Sequence, residues 1–358
     1  MGKKLELAFQ KKIPAAAESK KKSENNRVLI NVSFFSIFLK VLPVIFLVII
    51  ALAAISLGSK FIPVTLISKC SRTDYLVLTK IRLPRILVSI ICGALLGGTG
   101  AVFQGFFRNP LADPGIMGVC SGATFGAVLS GLIPMVSLSF LSHSTIFAFA
   151  GALFSSFCVF IFSKFFKETS SVTLLLSGTA VGTFFSAIAS IILLTHENDL
   201  HSFYVWTTGS FNAKGWNEFF VFIIPSVISL ILLELSYRHL DVLVCGETSA
   251  QTFGLNYKFL RNYVLIVGSL ATSCAVCSGG IISFVGLIAP HIARKIYGPL
   301  HKTLIFESMI YGALLMLVAD TIARTIVAPS ELPVGIITSL VGVPFFIVVL
   351  VKMGGEKR

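Results

Sequence analysis

The residues best equipped for chemistry in this chain are charges set hard against apolar sequence. The stretch TKIRLPRI at residues 79–86 places Lys80, Arg82 and Arg85 at the start of a long apolar run. Cations in such a position bind carboxylates, phosphates or lipid headgroups. Asp320 stands four residues before Arg324 in VADTIAR, the spacing at which helical side chains meet. An ionisable pair near the end of a membrane span is a candidate site, and a self-neutralising local ion pair is the plainer alternative. In Asn109-Pro110-Leu111-Ala112-Asp113-Pro114, Asp113 is placed to cap a helix whose first residue is Pro114.

Other candidates point to packing. His291 in APHIAR reads as a packing residue, and His196, Glu197, Asp199 and His201 make a polar turn that falls short of a metal site. Cys274 and Cys277 form a C-x-x-C among small apolar residues, without the soluble βαβ context that redox chemistry requires. No metal site and no cofactor is expected. Neither G-x-x-x-x-G-K-[ST] nor H-E-x-x-H occurs, so ATP hydrolysis would have to reside on another chain, and an intramembrane zinc protease is not supported. The segment YRHLDVLVCGETSAQTFGLN (237–256) reads as two short helices broken at Gly246, with Gly254 as a stop. It is too apolar for a plain connector and suits a docking surface for a cytoplasmic partner.

The elements that must position these residues are membrane helices. The 358-residue chain is 55% hydrophobic and 13% charged, with mean hydropathy +0.90. Its apolar runs are long enough to cross a hydrocarbon core of roughly 30 Å and are continuous rather than alternating, which argues against a β-barrel. Helices are expected near residues 34–57, 84–106, 114–133, 144–163, 171–194, 217–236, 259–278, 281–298, 304–323 and 333–351, with a tight turn at Ser278-Gly279-Gly280. The chain divides into a basic tail (1–33), a transmembrane domain (34–352) and a short C-terminus (353–358). The tail's cations face lipid headgroups, and nothing implies nucleic acid.

The distribution of Lys and Arg puts both ends of the chain in the cytoplasm. One cluster breaks that rule: Lys60, Lys69, Arg72, Lys80, Arg82 and Arg85 then face outward. Such a concentrated exception suggests function, with headgroup contact as the alternative. Gly93 with Gly97, Gly122 with Gly126, and Gly178 with Gly182 form G-x-x-x-G steps for close helix packing. GLIAPHIAR (286–294) faintly echoes PLADPGIMG (110–118). An ion-coupled secondary transporter is the competing reading. It would need coupling charges near the midplane at broken helices, whereas the charges here gather at helix ends.

Four ordered motifs carry a resemblance: RLPRILVSIICGALLGGTGAVFQGFFRNPLADPGIMG (82–118), GGIISFVGLIAPHIAR (279–294), ADTIAR (319–324) and ELPVGIITSLVGVPFF (331–346). Over residues 34–352 the chain resembles FecCD-type permeases of ABC importers for iron-siderophore complexes, haem or cobalamin. The resemblance implies an all-α bundle of about ten helices, cobalamin-importer-permease-like, in the plasma (inner) membrane of a prokaryote. It implies pairing with a second permease subunit, alike or different, and with two ATP-binding subunits on the cytoplasmic face. A substrate-binding protein is expected outside, docked on Arg82, Arg85 and Arg324. The ATPase coupling loop falls on Gly246, Glu247, Thr248 and Gly254, with Thr248 where the family carries a second acidic residue. The pathway falls on the fifth and tenth helices, with Ser177, Thr179, Thr183, Thr338 and Ser339 as candidate lining. An iron-siderophore complex is the expected cargo.

Overall fold

Continuous apolar sequence leaves the backbone no partner but itself, and the chain answers with helices. The computed structural model describes residues 40–58, 60–63, 71–133, 142–165, 171–195 and 200–355. The basic tail, Lys69, His196, Glu197 and Asp199 lie outside the described residues. Two units are distinguished, Met1–Phe46 and Leu47–Arg358. Of the first, only residues 40–46 are described, and they are helical.

The helices are α1 (Lys40–Ser56), α2 (Arg72–Phe107), α3 (Val119–Leu132), α4 (His143–Lys164), α5 (Ser171–Thr195), α6 (Leu200–Thr207) and α7 (Trp216–Leu235). After them come α8 (Tyr237–Leu243), α9 (Glu247–Thr252), α10 (Tyr257–Gly279), α11 (Val285–Tyr297), α12 (His301–Ala323) and α13 (Val334–Gly355). Among the described residues there is no strand. Each of the ten expected spans overlaps one of these helices, and among the described residues seven helical stretches are long and apolar enough to cross a membrane unaided.

The centre is α2, which packs against α12, α10, α11 and α7. Its apolar window is 78% buried and that of α10 is 72%, against 28% for α7 and α13. Small residues permit this crowding. A Cβ on Gly93 would stand 2.3 Å from the Gly312 carbonyl oxygen, and one on Gly97 would stand 2.1 Å from that of Ser308. The Gly122–Gly126 step meets α4 in the same way, at Gly151 and Phe147.

Three boundaries differ from expectation. Helix α2 begins twelve residues early, at Arg72, so the basic cluster is itself helical. Within it Val77–Arg82 widens into a π-turn, and Leu83 N–H reaches back five residues to the Leu78 carbonyl. In that register the Thr79 carbonyl faces Pro84, which has no N–H to give. The Trp216 indole fills the vacancy, donating Nε1–H to Thr79 O at 2.9 Å.

The spans expected at 114–133 and 281–298 each open with non-α-helical backbone. Pro114–Met117 is a 3₁₀ turn, and residues 280–284 are extended or bent, with Phe284 at φ 70°. The helices that follow, α3 and α11, reach only about 20 Å each at 1.5 Å per residue. The faintly similar segments meet in space: a Cβ on Gly286 would stand 2.5 Å from Pro114 Cδ. Asp113 caps as expected, accepting from Gly115 N at 2.8 Å.

Candidate functional site

Helix α1 ends at Ser56, and its last carbonyls have no intrahelical partner. Two arginines supply one. Arg82 Nη1 donates to Ile55 O at 2.8 Å and Ser56 O at 3.0 Å, and its Nη2 reaches Lys60 O. Gly58 makes room, since a Cβ there would stand 2.5 Å from that Nη2. Arg324 Nη2 donates to Ala54 O. Burial lowers the Arg324 guanidinium to about 10, with Asp320 opposing the fall and Arg85 and Arg82 adding to it. It stays charged at neutral pH.

The third arginine holds an acidic pair. Arg85 Nε lies 3.1 and 3.2 Å from the two carboxylate oxygens of Asp320, and Nη2 lies 2.8 Å from Oδ1. Nη1 donates to Glu331 Oε2 at 2.7 Å. Asp320 is fully buried, whereas the Glu331 side chain is about one-third exposed. The i, i+4 partner expected for Asp320 was Arg324, and the structure corrects this. Arg324 turns to the end of α1, which frees Asp320 for the forked guanidinium of Arg85, a geometry matched to a carboxylate.

Arg82, Arg85 and Arg324 do gather at one end of the bundle, but they are only 5%, 5% and 4% exposed. The cations that face outward beside them are Lys60, Arg72 and Lys80. Sequence reasoning missed Glu331 as a member of this cluster. It lies 246 residues from Arg85 and inside a quoted motif, with no local spacing to mark it.

The other end of α2 carries the second candidate. From Arg82 to Phe107 this helix runs about 37 Å. Beyond it, Arg108 stands near Gly246, where a Cβ would be 3.9 Å from its Nη1. Helices α8 and α9 are the two short helices expected there. Gly246 joins them at φ 100°, and Gly254 ends α9 at φ 88°. Gly254 N–H bonds Gln251 O at 2.9 Å and Leu255 N–H bonds Ala250 O at 3.0 Å, the paired closure of a Schellman motif. Glu247 opens α9 and Thr248 follows it. Asp241 on α8 accepts from His301 N–H at 2.9 Å and lies 2.8 Å from its Nδ1, fastening this loop to the start of α12.

Between the two ends, α5 buries Leu174, Val181, Phe185 and Ala189. Its exposed face carries Thr179 and Thr183, joined by Ser186 and Ser190 at helical spacing. Each of these hydroxyls whose bond is defined returns to its own helix, Thr183 to Thr179 O at 2.8 Å and Ser190 to Ser186 O at 2.9 Å. Ser186 and Ser190 were not singled out from the sequence, although the 3.6-residue period was there to find them. Ser177 and Thr338 are each 7% exposed and bond to Thr173 O and Gly335 O, so they face into the bundle. Ser339 is half-buried. His291 stacks edge-on against Phe345, and Cys274 and Cys277 are buried free thiols. No group of three or more His, Cys, Asp or Glu is placed to hold a metal ion among the described residues.

The model of the FecCD transport family matches residues 42–352. The chain belongs to this family. As a FecCD chain it is an ABC importer permease and a multi-pass membrane protein. It is 38% identical to the cobalamin import system permease BtuC of Halobacterium salinarum over 78% of this chain and 74% of that protein. It is also 38% identical to the iron(3+)-hydroxamate import permease FhuG of Bacillus subtilis, over 78% of this chain and 84% of that one. The hemin transport permease HmuU of Yersinia pestis is 33% identical over 87% and 95% of the two chains. Among solved structures, a chain of a metal-chelate type ABC transporter, inward-facing, superposes with TM-score 0.76 at 32% identity, covering 87% of this FecCD chain and 97% of that one.

Proposed function

We propose that this FecCD permease carries an iron-siderophore complex across the plasma membrane of a prokaryote, with both its termini in the cytoplasm. It works beside a second permease subunit and two ATP-binding subunits, and a substrate-binding protein delivers the cargo. The observation that carries this reading is the division of labour along α2. One end holds the arginine cluster with exposed Lys60, Arg72 and Lys80 around it, and the other meets the compact α8–α9 loop. A charged rim suits a soluble acidic partner, and a short, stiffly closed helix pair suits a surface pressed by an ATPase. The uncharged hydroxyl stripe Thr179–Thr183–Ser186–Ser190 suits a pathway for a large solute that must pass without being held.

In this reading the three arginines shape the docking face from within, and the outer lysines and Arg72 supply its field. Related permeases are named for cobalamin, iron-hydroxamate, hemin and molybdate, and three of these four cargoes are bulky metal chelates. Uptake by the reconstituted transporter of labelled ferric hydroxamate, hemin and cobalamin tests the assignment. ATP-dependent uptake of the ferric complex in preference to the other two is expected. Preference for either of the others would overturn the cargo, and uptake driven by an ion gradient without ATP would overturn the mechanism.

A further inference from the structure

We propose that Glu331 is the chain's own occupant of a carboxylate site on Arg85, and that an acidic side chain of the docking protein takes its place. The proposal rests on the reading that a substrate-binding protein docks at this end of the bundle.

Two carboxylates share Arg85, and they are held differently. Asp320 is sealed, with no exposed surface, and occupies the Nε and Nη2 edge through both oxygens. Glu331 makes one bond, to Nη1, and about a third of its side chain faces out. Residues 326–331 are all exposed, so the segment is open to an approaching protein. Nη1 cannot be left bare, because a buried donor without an acceptor is strongly disfavoured. A second carboxylate arriving from outside solves that by exchanging like for like. The surroundings favour it: Arg82 and Arg324 lie in the same buried cluster, and Arg324 Nε has no acceptor among the described residues. Arg82 and Arg324 spend their hydrogen bonds on backbone carbonyls, and Asp74 near Arg82 is paired with Lys60 at 2.6 Å, so the cluster keeps a positive field that attracts a further anion.

The exchange would reach the pathway side of the molecule. Glu331 is three residues before the start of α13, and the Leu332 N–H holds the Ala323 carbonyl at the end of α12 at 3.0 Å. While Glu331 grips Arg85, the α12–α13 connection is pinned to α2. Displacement unpins it and leaves Asp320 in place to keep Arg85 charged and oriented. Docking at the surface is thereby converted into freedom at the head of α13.

The test uses the full transporter in nanodiscs and its own substrate-binding protein, fluorescently labelled, as the probe. Glu331→Gln keeps the competitor's size and an acceptor oxygen but removes its charge, so its hold on Nη1 falls from a charge-assisted bond to a neutral one. Because an occupied site lowers apparent affinity by the fraction that is free, the variant is expected to bind about three- to tenfold tighter. Glu331→Asp keeps the charge but withdraws it from Nη1, and should fall between wild type and Glu331→Gln. Hydrogen exchange across residues 325–333 should rise when the probe binds wild type, and should already be high in free Glu331→Gln. A reference variant, Lys60→Glu/Arg72→Glu/Lys80→Glu, reports on docking itself. If it weakens binding while both Glu331 variants bind as wild type or worse, the exchange is wrong and the docking face stands. If neither it nor the Glu331 variants move the affinity, the docking face is wrong and the exchange falls with it.

Discussion

Arg85 and Asp320 pair across 235 residues in a fully enclosed setting, and such a pair is far costlier to break than to replace. Asp320→Ala is expected to destabilise the chain by about 3–5 kcal/mol, because Nε and Nη2 of a buried guanidinium lose their acceptors and only Glu331 remains, on Nη1. The double variant Arg85→Met/Asp320→Leu should be less destabilised than either single change, since the one carboxylate left without a partner, Glu331, is about one-third exposed and can be hydrated. Thermal unfolding in detergent of the two singles and the double measures this, and a double variant worse than both singles would contradict it. Spacing alone picks the wrong partner here. Asp320 and Arg324 stand at i, i+4, yet the end of α1 competes for Arg324, and no local rule can see a carbonyl 270 residues away. What could be read was that the arginines belong together; their burial and their partners depend on how distant helices close.

Helices were the most legible layer, because a membrane enforces one solution for every apolar run. The misses sit where that rule is relaxed: the π-turn ahead of Pro84, and the breaks at Pro114–Met117 and residues 280–284. Each rests on other elements on one side, where backbone groups find partners outside a regular helix, as the Thr79 carbonyl does at Trp216. The glycine steps were legible as contacts but not as partners. Gly97→Ala should cost about 1–3 kcal/mol by forcing α2 from α12, and Gly97→Leu should block assembly of the bundle. Size-exclusion profiles and unfolding temperatures of the two variants check the order. Gly254 gives the opposite test. A Cβ there meets nothing within 4 Å, so Gly254→Ala carries only the left-handed backbone penalty of about 1–2 kcal/mol. The bundle should keep its unfolding temperature within a few degrees while the end of α9 frays. ATPase-subunit co-purification should fall with it, and full retention would leave the loop a connector.

At the scale of the molecule, α5 and α13 expose most of their length in the single chain, and the hydroxyl stripe lies on α5. If that stripe lines a wet pathway between two subunits, Thr183→Cys and Ser186→Cys should react with a membrane-impermeant maleimide in the assembled transporter. Ile228→Cys, on the exposed apolar face of α7, should not. Equal labelling at all three would remove the stripe from the pathway. The purified chain alone should show no ATP hydrolysis above background, because it lacks a phosphate-binding loop. The arginine clasp on α1 adds a constraint on how the protein is made. Helix α1 is synthesised early, but the Ala54 carbonyl waits for Arg324, which follows the last residue of α12. The ribosome must therefore deliver nearly the whole chain before α1 is finished at its end. A chain cut short before α12 would leave α1 loosely tethered, by Arg82 alone among the two arginines. Quality-control proteases that seek unsettled membrane helices would then find it at its start, and only full-length copies would be spared.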